Sequence, residues 1–370
     1  MEDPWHFPRS EFATHYFSAI ADGPTNRSIL SAPRRKGKTQ FLLRDLAPLA
    51  RERGHKVVYA SLRHMPAAPQ RVLIDALEKA EKRDGSCRLL EEALYGSRLR
   101  SHLGVTAERG LPRRVAKASS EELAKLGSLI RSQARTTVKR SRPLLLIIDD
   151  VQHLAARREF WPLTASLRTA LDVLGRTIIV VYAGSAPEAI ARIFWRRSAP
   201  FYASAHEMPL PDLGGPYIEH IAHTFHQVSG RRLDRDEAAA TFAALGRNPG
   251  HTMIWLNYRL LYPRMSSEEA CHLAKDRVTI EYGFEVVRAR LDALDHVILR
   301  AVIEKQALFA KDTTKRIAEE AGIPAPPTKI QARVAALMRA GVLMPGMARG
   351  EYVFQDGVFR DWLLAEERCL

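Results

Sequence analysis

The sequence predicts an α/β chain: a parallel sheet wrapped by helices, then a helical lid, then a small C-terminal unit of helices and a hairpin. Three observations carry this reading. Two apolar runs, Leu144–Ile148 and Ile178–Ala183, have the continuity of buried parallel strands. Both fall far short of the roughly 20 residues that span a bilayer. Strand-like and helix-like segments alternate from Arg27 to Lys82, the order that builds a parallel sheet. Past Gly215 the strand signals stop, and the pattern is helical to about Glu281.

The elements follow in order. Residues 1–22 form a lead-in with aromatic anchors at Trp5, Phe7, Phe12, Tyr16 and Phe17. Arg27–Ser31 is a strand that runs through Ala32–Thr39 into a helix over Gln40–Arg53, which Gly54 ends. His55–Leu62 is a second strand and Gln70–Lys82 a helix. Residues 84–142 interrupt the alternation with a basic insertion: a loop over Gly104–Ser120, then a helix over Glu121–Lys139. Leu144–Asp150 is a strand ending in two carboxylates, followed by a helix over Glu159–Leu174. Arg176–Ala183 is a strand ending at Gly184-Ser185, Pro187–Arg196 a helix, and Glu207–Leu210 a short strand. The helical lid covers residues 213–290, with a turn at Gly246-Arg247-Asn248-Pro249-Gly250. From 291 to 370, helices over Leu294–Leu308, Thr313–Ala321 and Thr328–Ala340 precede short strands at Val342–Met344 and Tyr352–Phe354 and a last helix over Val358–Glu367, which is the winged-helix order. The core thus occupies 23–212.

Composition narrows the function. Lys and Arg number 56 against 42 Asp and Glu, a formal charge of +14, and a chain that basic meets a polyanion. The excess is concentrated in 96–142, where Arg98, Arg113, Arg114, Lys117, Arg140 and their neighbours face only Glu108, Glu121 and Glu122. This stretch reads either as a solvated surface or as a nucleic-acid contact. The three cysteines are far apart with no CxxC pair, which excludes a disulfide framework or a cysteine zinc site and fits a reducing cytosol. The N-terminus lacks a basic region followed by an apolar stretch, so a cytoplasmic location is expected.

The chemistry centres on Ser31–Gln40, SAPRRKGKTQ. Against G-x-x-x-x-G-K-[ST], Ala32 takes the first glycine position and Gly37, Lys38 and Thr39 match. The loop of Pro33, Arg34, Arg35, Lys36, Gly37, Lys38, Thr39 and Gln40 would curl round phosphate and offer its backbone N–H groups from Arg34 onward, aided by the helix N-terminus. Lys38 would reach the β- and γ-phosphates of ATP, and Thr39 would ligate Mg²⁺. The fold class is therefore a P-loop NTPase core. Asp149, at a buried strand end, is the second Mg²⁺ ligand, and Asp150 is the carboxylate that polarises water. Asp150 also reads as a helix N-cap. Ser185 reads as a contact to the γ-phosphate or as an N-cap of the helix at Pro187. Arg196 and Arg197 read as an arginine finger toward a neighbouring subunit or as a solvated surface, and Arg247 as a sensor in the lid.

Together, APRRKGKT, LLLIIDDVQHL, VVYAGSAPEAIARIF, RRSAPFYASAHEMPLPDL and GRNPGH resemble the archaeal-type ATPase family on the AAA+/STAND side of the P-loop proteins. The resemblance runs over about residues 24–260, and YVFQDGVFRDWL resembles that family's winged-helix ending. Departures are Ala32, Asp150 where Glu is usual, and the basic stretch. The resemblance implies ATP and Mg²⁺ as cofactors and two roles. One is a homo-oligomeric ATPase on DNA in transposition, defence or replication-linked regulation. For the first role the residues themselves offer nucleic-acid contacts at Arg113, Arg114 and Lys117 in the basic stretch, and at Lys329 and Arg333 near the start of the third C-terminal helix, where a recognition helix exposes its side chains. The other is a nucleotide-gated switch whose winged helix latches on the ATPase core and binds a protein partner. A membrane surface is not expected, because no basic amphipathic helix with exposed aromatics appears.

Overall fold

The computed structural model describes residues 3–82, 117–139, 143–155, 157–346, 350–354 and 357–367. Helix α1 (Ser10–Ala21) precedes strand β1 (Arg27–Ser31). Helix α2 is a continuous run of three parts: an α-helical start Lys38–Gln40, a π-helical stretch Phe41–Leu46 and an α-helical end Ala47–Glu52. Strand β2 (Lys56–Ser61), helices α3 (Pro69–Lys82) and α4 (Ser120–Lys139), strand β3 (Leu144–Asp149), helix α5 (Trp161–Leu174), strand β4 (Ile178–Gly184), helix α6 (Pro187–Phe194) and strand β5 (His206–Glu207) complete the core. The sheet order is β2-β3-β4-β1-β5 and every pairing is parallel. Strand β5 is shorter than the sequence predicts, yet its pairing runs on: Met208 N–H donates to the Ile29 carbonyl at 2.8 Å and Leu210 N–H to that of Ser31 at 2.9 Å.

Alternation along the strands explains why both apolar runs are continuous. Leu144, Leu146 and Ile148 enter one core and Leu145 and Ile147 the other, and β4 divides in the same way. Helices α3, α4, α5 and α6 close the first core; α1 and α2 close the second. The lead-in is therefore more than an anchor. Helix α1 buries Ala13, Tyr16, Phe17 and Ile20 against the sheet, at roughly 1.5–3 kcal/mol for each large side chain. Helix α4 likewise buries Leu126, Leu129, Ile130 and Ala134 and leaves Arg131 and Arg135 exposed. A capping box of Ser119 and Glu122 starts it. Most of the basic insertion, including Arg98, Arg113, Arg114 and Arg140, lies outside the described residues.

Beyond the core, α7 (Gly215–Ser229), α8 (Arg235–Ala244), α9 (Pro249–Leu261) and α10 (Ser267–Tyr282) pack round Phe225, Phe242, Trp255 and Leu256. Trp5 and Phe7 from the N-terminus cover the same cluster. A short helix α11 (Phe284–Arg288) leads to α12 (Ala293–Ile303), α13 (Lys311–Ala321), α14 (Pro327–Arg339), an antiparallel hairpin of β6 (Leu343–Pro345) and β7 (Tyr352–Phe354), and α15 (Gly357–Glu367). Helix α12 stops at Ile303 rather than Leu308, because Lys305 turns left-handed at φ 56°.

The hairpin is two-faced. Leu343 and Phe354, paired across it, belong to the C-terminal core, while Met344 and Val353, the next pair, pack on the first core of the sheet domain. No helix among the described residues is long and apolar enough to cross a membrane.

Candidate functional site

The site lies at the carboxyl ends of β1, β3 and β4. Strand β1 delivers the loop Ala32–Gly37, and Gly37 turns it into α2 with φ 93°, a left-handed conformation that glycine adopts without strain. Lys38 is buried at 8% exposure, and its ammonium donates to the loop's own carbonyls at Ala32 (2.5 Å) and Pro33 (2.9 Å). Burial lowers its pKa to about 8 against the opposing pull of Asp149 and Asp150, with Arg34 adding a further downward push.

Thr39 and Asp149 meet as the spacing requires: the Thr39 hydroxyl donates to Asp149 Oδ2 at 2.8 Å. Tyr59, on β2, donates to the same oxygen at 2.9 Å. Asp149 is 2% exposed, and burial together with its neighbour Asp150 pushes its carboxyl up to about 6. A buried carboxylate beside a hydroxyl is a hard-cation donor pair, and a cation would relieve its desolvation. Among the described residues there is no group of three or more His, Cys, Asp or Glu side chains able to hold a metal. A cation here would take two protein groups and fill its shell from phosphate and water, as Mg²⁺ does. The residues present fit that ion.

Asp150 sits at φ 58°, a left-handed turn that aspartate tolerates. The turn leaves one carboxylate oxygen to the Ser61 hydroxyl at 3.3 Å and the other to the Gln152 amide at 3.0 Å. Ser185, one residue past β4, contacts the same Gln152. It does not cap α6: the N-cap is Ala186, and no side chain caps that helix. Strand β4 thus brings Ser185 between the phosphate loop and the carboxylate strand.

The loop tip faces the helical lid. Asn248 caps α9 through its side-chain oxygen and donates its amide to the Arg34 carbonyl at 2.9 Å. Lys36 reaches Asp212 at 2.7 Å and the Arg247 carbonyl at 2.9 Å, and Arg35 pairs with Glu281. The Arg35 and Lys36 side chains therefore tie the loop to its surroundings. Arg247 contributes its carbonyl to the tie, and its residue is exposed at φ 49°. Gly250 approaches so closely that a Cβ would stand 2.6 Å from Arg35 Cβ. From the N-terminus, Arg9 donates to the Lys36 carbonyl at 3.2 Å and to that of Pro211 at 2.5 Å. Gln40 keeps its side-chain oxygen buried without a hydrogen bond.

Arg196 and Arg197 lie just past α6, Arg197 exposed and Arg196 half-buried near Arg192, whose pKa is lowered by burial and by its arginine neighbours. Lys117 and Lys329 are exposed. Arg333 needs a correction as a free phosphate contact. It pairs with Asp295, whose side chain is 2% exposed, and with Asp292 at 3.0 Å, so its guanidinium joins α14 to α12. Arg113 and Arg114 lie outside the described residues.

Sequence reasoning missed Tyr59, Ser61, Gln152, Arg9 and Asn248. Of these, Gln152 carried a signal in its place two residues after the acidic pair, and Asn248 in its place before Pro249 at a helix start.

No family model matches the chain, and no curated protein matches it. Among solved structures it is similar to the Walker-type ATPase PABY2304 of Pyrococcus abyssi, at 18% identity and TM-score 0.56, over 97% of this chain and 96% of that one. It is similar also to the ORC2 protein of Aeropyrum pernix in its ADP form, at 13% identity and TM-score 0.58, over 96% and 93% of the two chains. At these identities the likeness is one of fold. The α/β core, with its parallel sheet and glycine-lysine-threonine loop, has the P-loop fold of a Walker-type ATPase.

Proposed function

We propose that this chain is an ATP-binding, Mg²⁺-dependent AAA+-like ATPase that assembles with copies of itself and acts on or along DNA. The observation that carries the proposal is the convergence of Lys38, Thr39, Asp149, Asp150 and Ser185 at one end of the sheet, from three separate strands. Each residue has one task. The backbone of Gly37–Gln40 and the Lys38 ammonium would hold phosphate oxygens; Thr39 and Asp149 would be the protein ligands of Mg²⁺, which would supply charge neutralisation at the phosphates. Asp150 would accept a hydrogen bond from the attacking water, and Ser185, at the tip of β4, would face the γ-phosphate. Arg196 or Arg197 reaches a neighbouring subunit's nucleotide. The ties from Asn248, Lys36 and Arg35 make the lid sensitive to the shape of the phosphate loop. Fluorescent ATP-analogue titration tests this directly: binding that needs Mg²⁺ and is lost in Lys38→Ala supports the reading, and Mg²⁺-independent or undiminished binding contradicts it.

DNA is the proposed polyanion because of the +14 charge. Lys117, Lys329 and the residues around Arg113 and Arg114 are the proposed backbone contacts, whereas Arg333 is assigned to the internal pair. The similar structures are called an ATPase and an ORC2 protein.

A second reading has its own support. Met344 and Val353 pack the hairpin onto the sheet domain. If the C-terminal unit is a winged helix, its wing is held against the core, as a nucleotide-gated switch with a protein partner requires. Trimming DNA from the assay separates the two: a switch keeps its full nucleotide response without DNA.

A further inference from the structure

We infer that Gln152 is a positioning residue for hydrolysis, one that sets the Asp150 carboxylate and couples it to Ser185 at the tip of β4; this rests on the nucleotide reading above. Its side chain meets three groups at once. Nε2 donates to Asp150 Oδ1 at 3.0 Å and toward Ser185 Oγ at 3.4 Å, while Oε1 accepts the Ser185 N–H at 3.3 Å. The partners fix which way the amide faces, since a carboxylate only accepts and a backbone N–H only donates. The other Asp150 oxygen is taken by Ser61 at 3.3 Å, so both oxygens are oriented by neutral donors. The amide is also wedged in place. A Cβ at Gly184 would stand 3.0 Å from Gln152 Oε1 and 3.1 Å from Ile190 Cδ1. Gln152 itself stands on the short 3₁₀ turn Val151–Ala155, directly after the left-handed Asp150.

The consequence is mechanical. In hydrolysis the water oxygen bonds to the γ-phosphorus as the bond to the β–γ bridging oxygen breaks. The bridging electron pair leaves with ADP, and the water's proton passes to Asp150. That step needs the carboxylate aimed at the water. A contact between Ser185 and the γ-phosphate moves the Ser185 backbone and hydroxyl, both of which Gln152 holds, and the amide carries the movement to Asp150. Positioning of this kind affects turnover while leaving phosphate binding, which belongs to Lys38 and the loop, in place.

The test uses the full chain with Gln152→Ala, the isosteric Gln152→Glu, Ser185→Ala, and the Gln152→Ala/Ser185→Ala double variant. Turnover, Mg²⁺-ATP and Mg²⁺-ADP dissociation constants, and melting temperature without nucleotide are measured for each. We expect Gln152→Ala to lower kcat about 10- to 100-fold with the ATP dissociation constant changed less than about 3-fold. Gln152→Glu keeps the shape but sets an acceptor against Asp150, and should lose at least as much. The double variant should lose little beyond the worse single one, because both act through one link. Gly184→Ala, which crowds the amide from the β4 side, should reproduce the loss with Gln152 intact. Wild-type kcat in the Ala and Glu variants overturns the inference, as does a fall in ATP affinity and melting temperature in step with turnover. Failure of the unaltered protein to bind Mg²⁺-ATP overturns the nucleotide reading and this inference with it; binding with equal turnover in every variant overturns this inference alone.

Discussion

At the scale of single residues, the site sets charge against burial. Asp149 is buried beside Asp150, and its carboxyl titrates near 6 rather than at its ordinary 3.8. The sign of the effect on stability follows. A raised acid holds its proton longer in the folded chain than in the unfolded one, so the stability this group contributes is present below about 4 and is lost as pH rises toward 6. In metal-free protein, the difference in stability between the unaltered chain and Asp149→Asn should therefore change across pH 4–6, by on the order of 1–3 kcal/mol, in the direction that favours the variant at pH 7. Thermal melts of both proteins across that range check it. Adding Mg²⁺-ATP should raise the melting temperature of the unaltered chain and leave Asp149→Asn nearly unmoved. Lys38, Thr39 and Asp149 were readable from the sequence, since each belongs to a motif whose spacing is set by phosphate and metal geometry. Ser61 was not, and Gln152 only by its place after the acidic pair, because their partners are set by how β2, β3 and β4 sit side by side.

At the scale of elements, the lid holds the loop by its backbone. Asn248 caps α9 and binds the Arg34 carbonyl, so Asn248→Ala should lower stability by about 1–2 kcal/mol and weaken nucleotide binding as well. Gly250→Ala separates those effects. Alanine inside α9 favours the helix by roughly 0.5–1 kcal/mol, yet its Cβ meets Arg35 at 2.6 Å. Nucleotide affinity should fall more than stability does, as titration and melting on the same sample would show. In the C-terminal unit, Arg333→Ala leaves the buried Asp295 without its guanidinium, and a loss of about 1–3 kcal/mol is expected in urea melts. Position near the start of the third helix marked Arg333 as a contact to DNA. In the structure it pairs with Asp295 on α12 and with Asp292, the N-cap of that helix, a long-range pairing that helical spacing does not encode. The π-helical stretch of α2 was equally hidden, since an i→i+5 turn has no compositional mark. By contrast, the ends of β1, β2, β3 and β4 and the glycines closing helices fell close to where local pattern put them.

At the scale of the whole molecule, three units meet at two seams. One is the loop–lid seam, strapped by Arg9, Trp5 and Phe7 from the N-terminus. The other is the hairpin on the sheet domain. Met344→Asp places a charge in that second seam and should raise protease sensitivity between the two units several-fold, with Mg²⁺-ATP affinity unchanged. Limited proteolysis beside a binding titration measures both. The sequence pointed to the hairpin but not to its second face, because a three-residue strand is too short for its alternation to show two buried sides. For DNA, charge is the argument, and charge makes a salt prediction: log affinity should fall with log salt at a slope of about −3 or steeper.

The most direct measurement is steady-state ATP hydrolysis with and without duplex DNA, at low and moderate salt, beside Lys38→Ala. We predict Mg²⁺-dependent turnover that rises with DNA, loses that rise as salt increases, and vanishes in Lys38→Ala. Turnover that is absent, or that ignores DNA at every salt concentration, would contradict it.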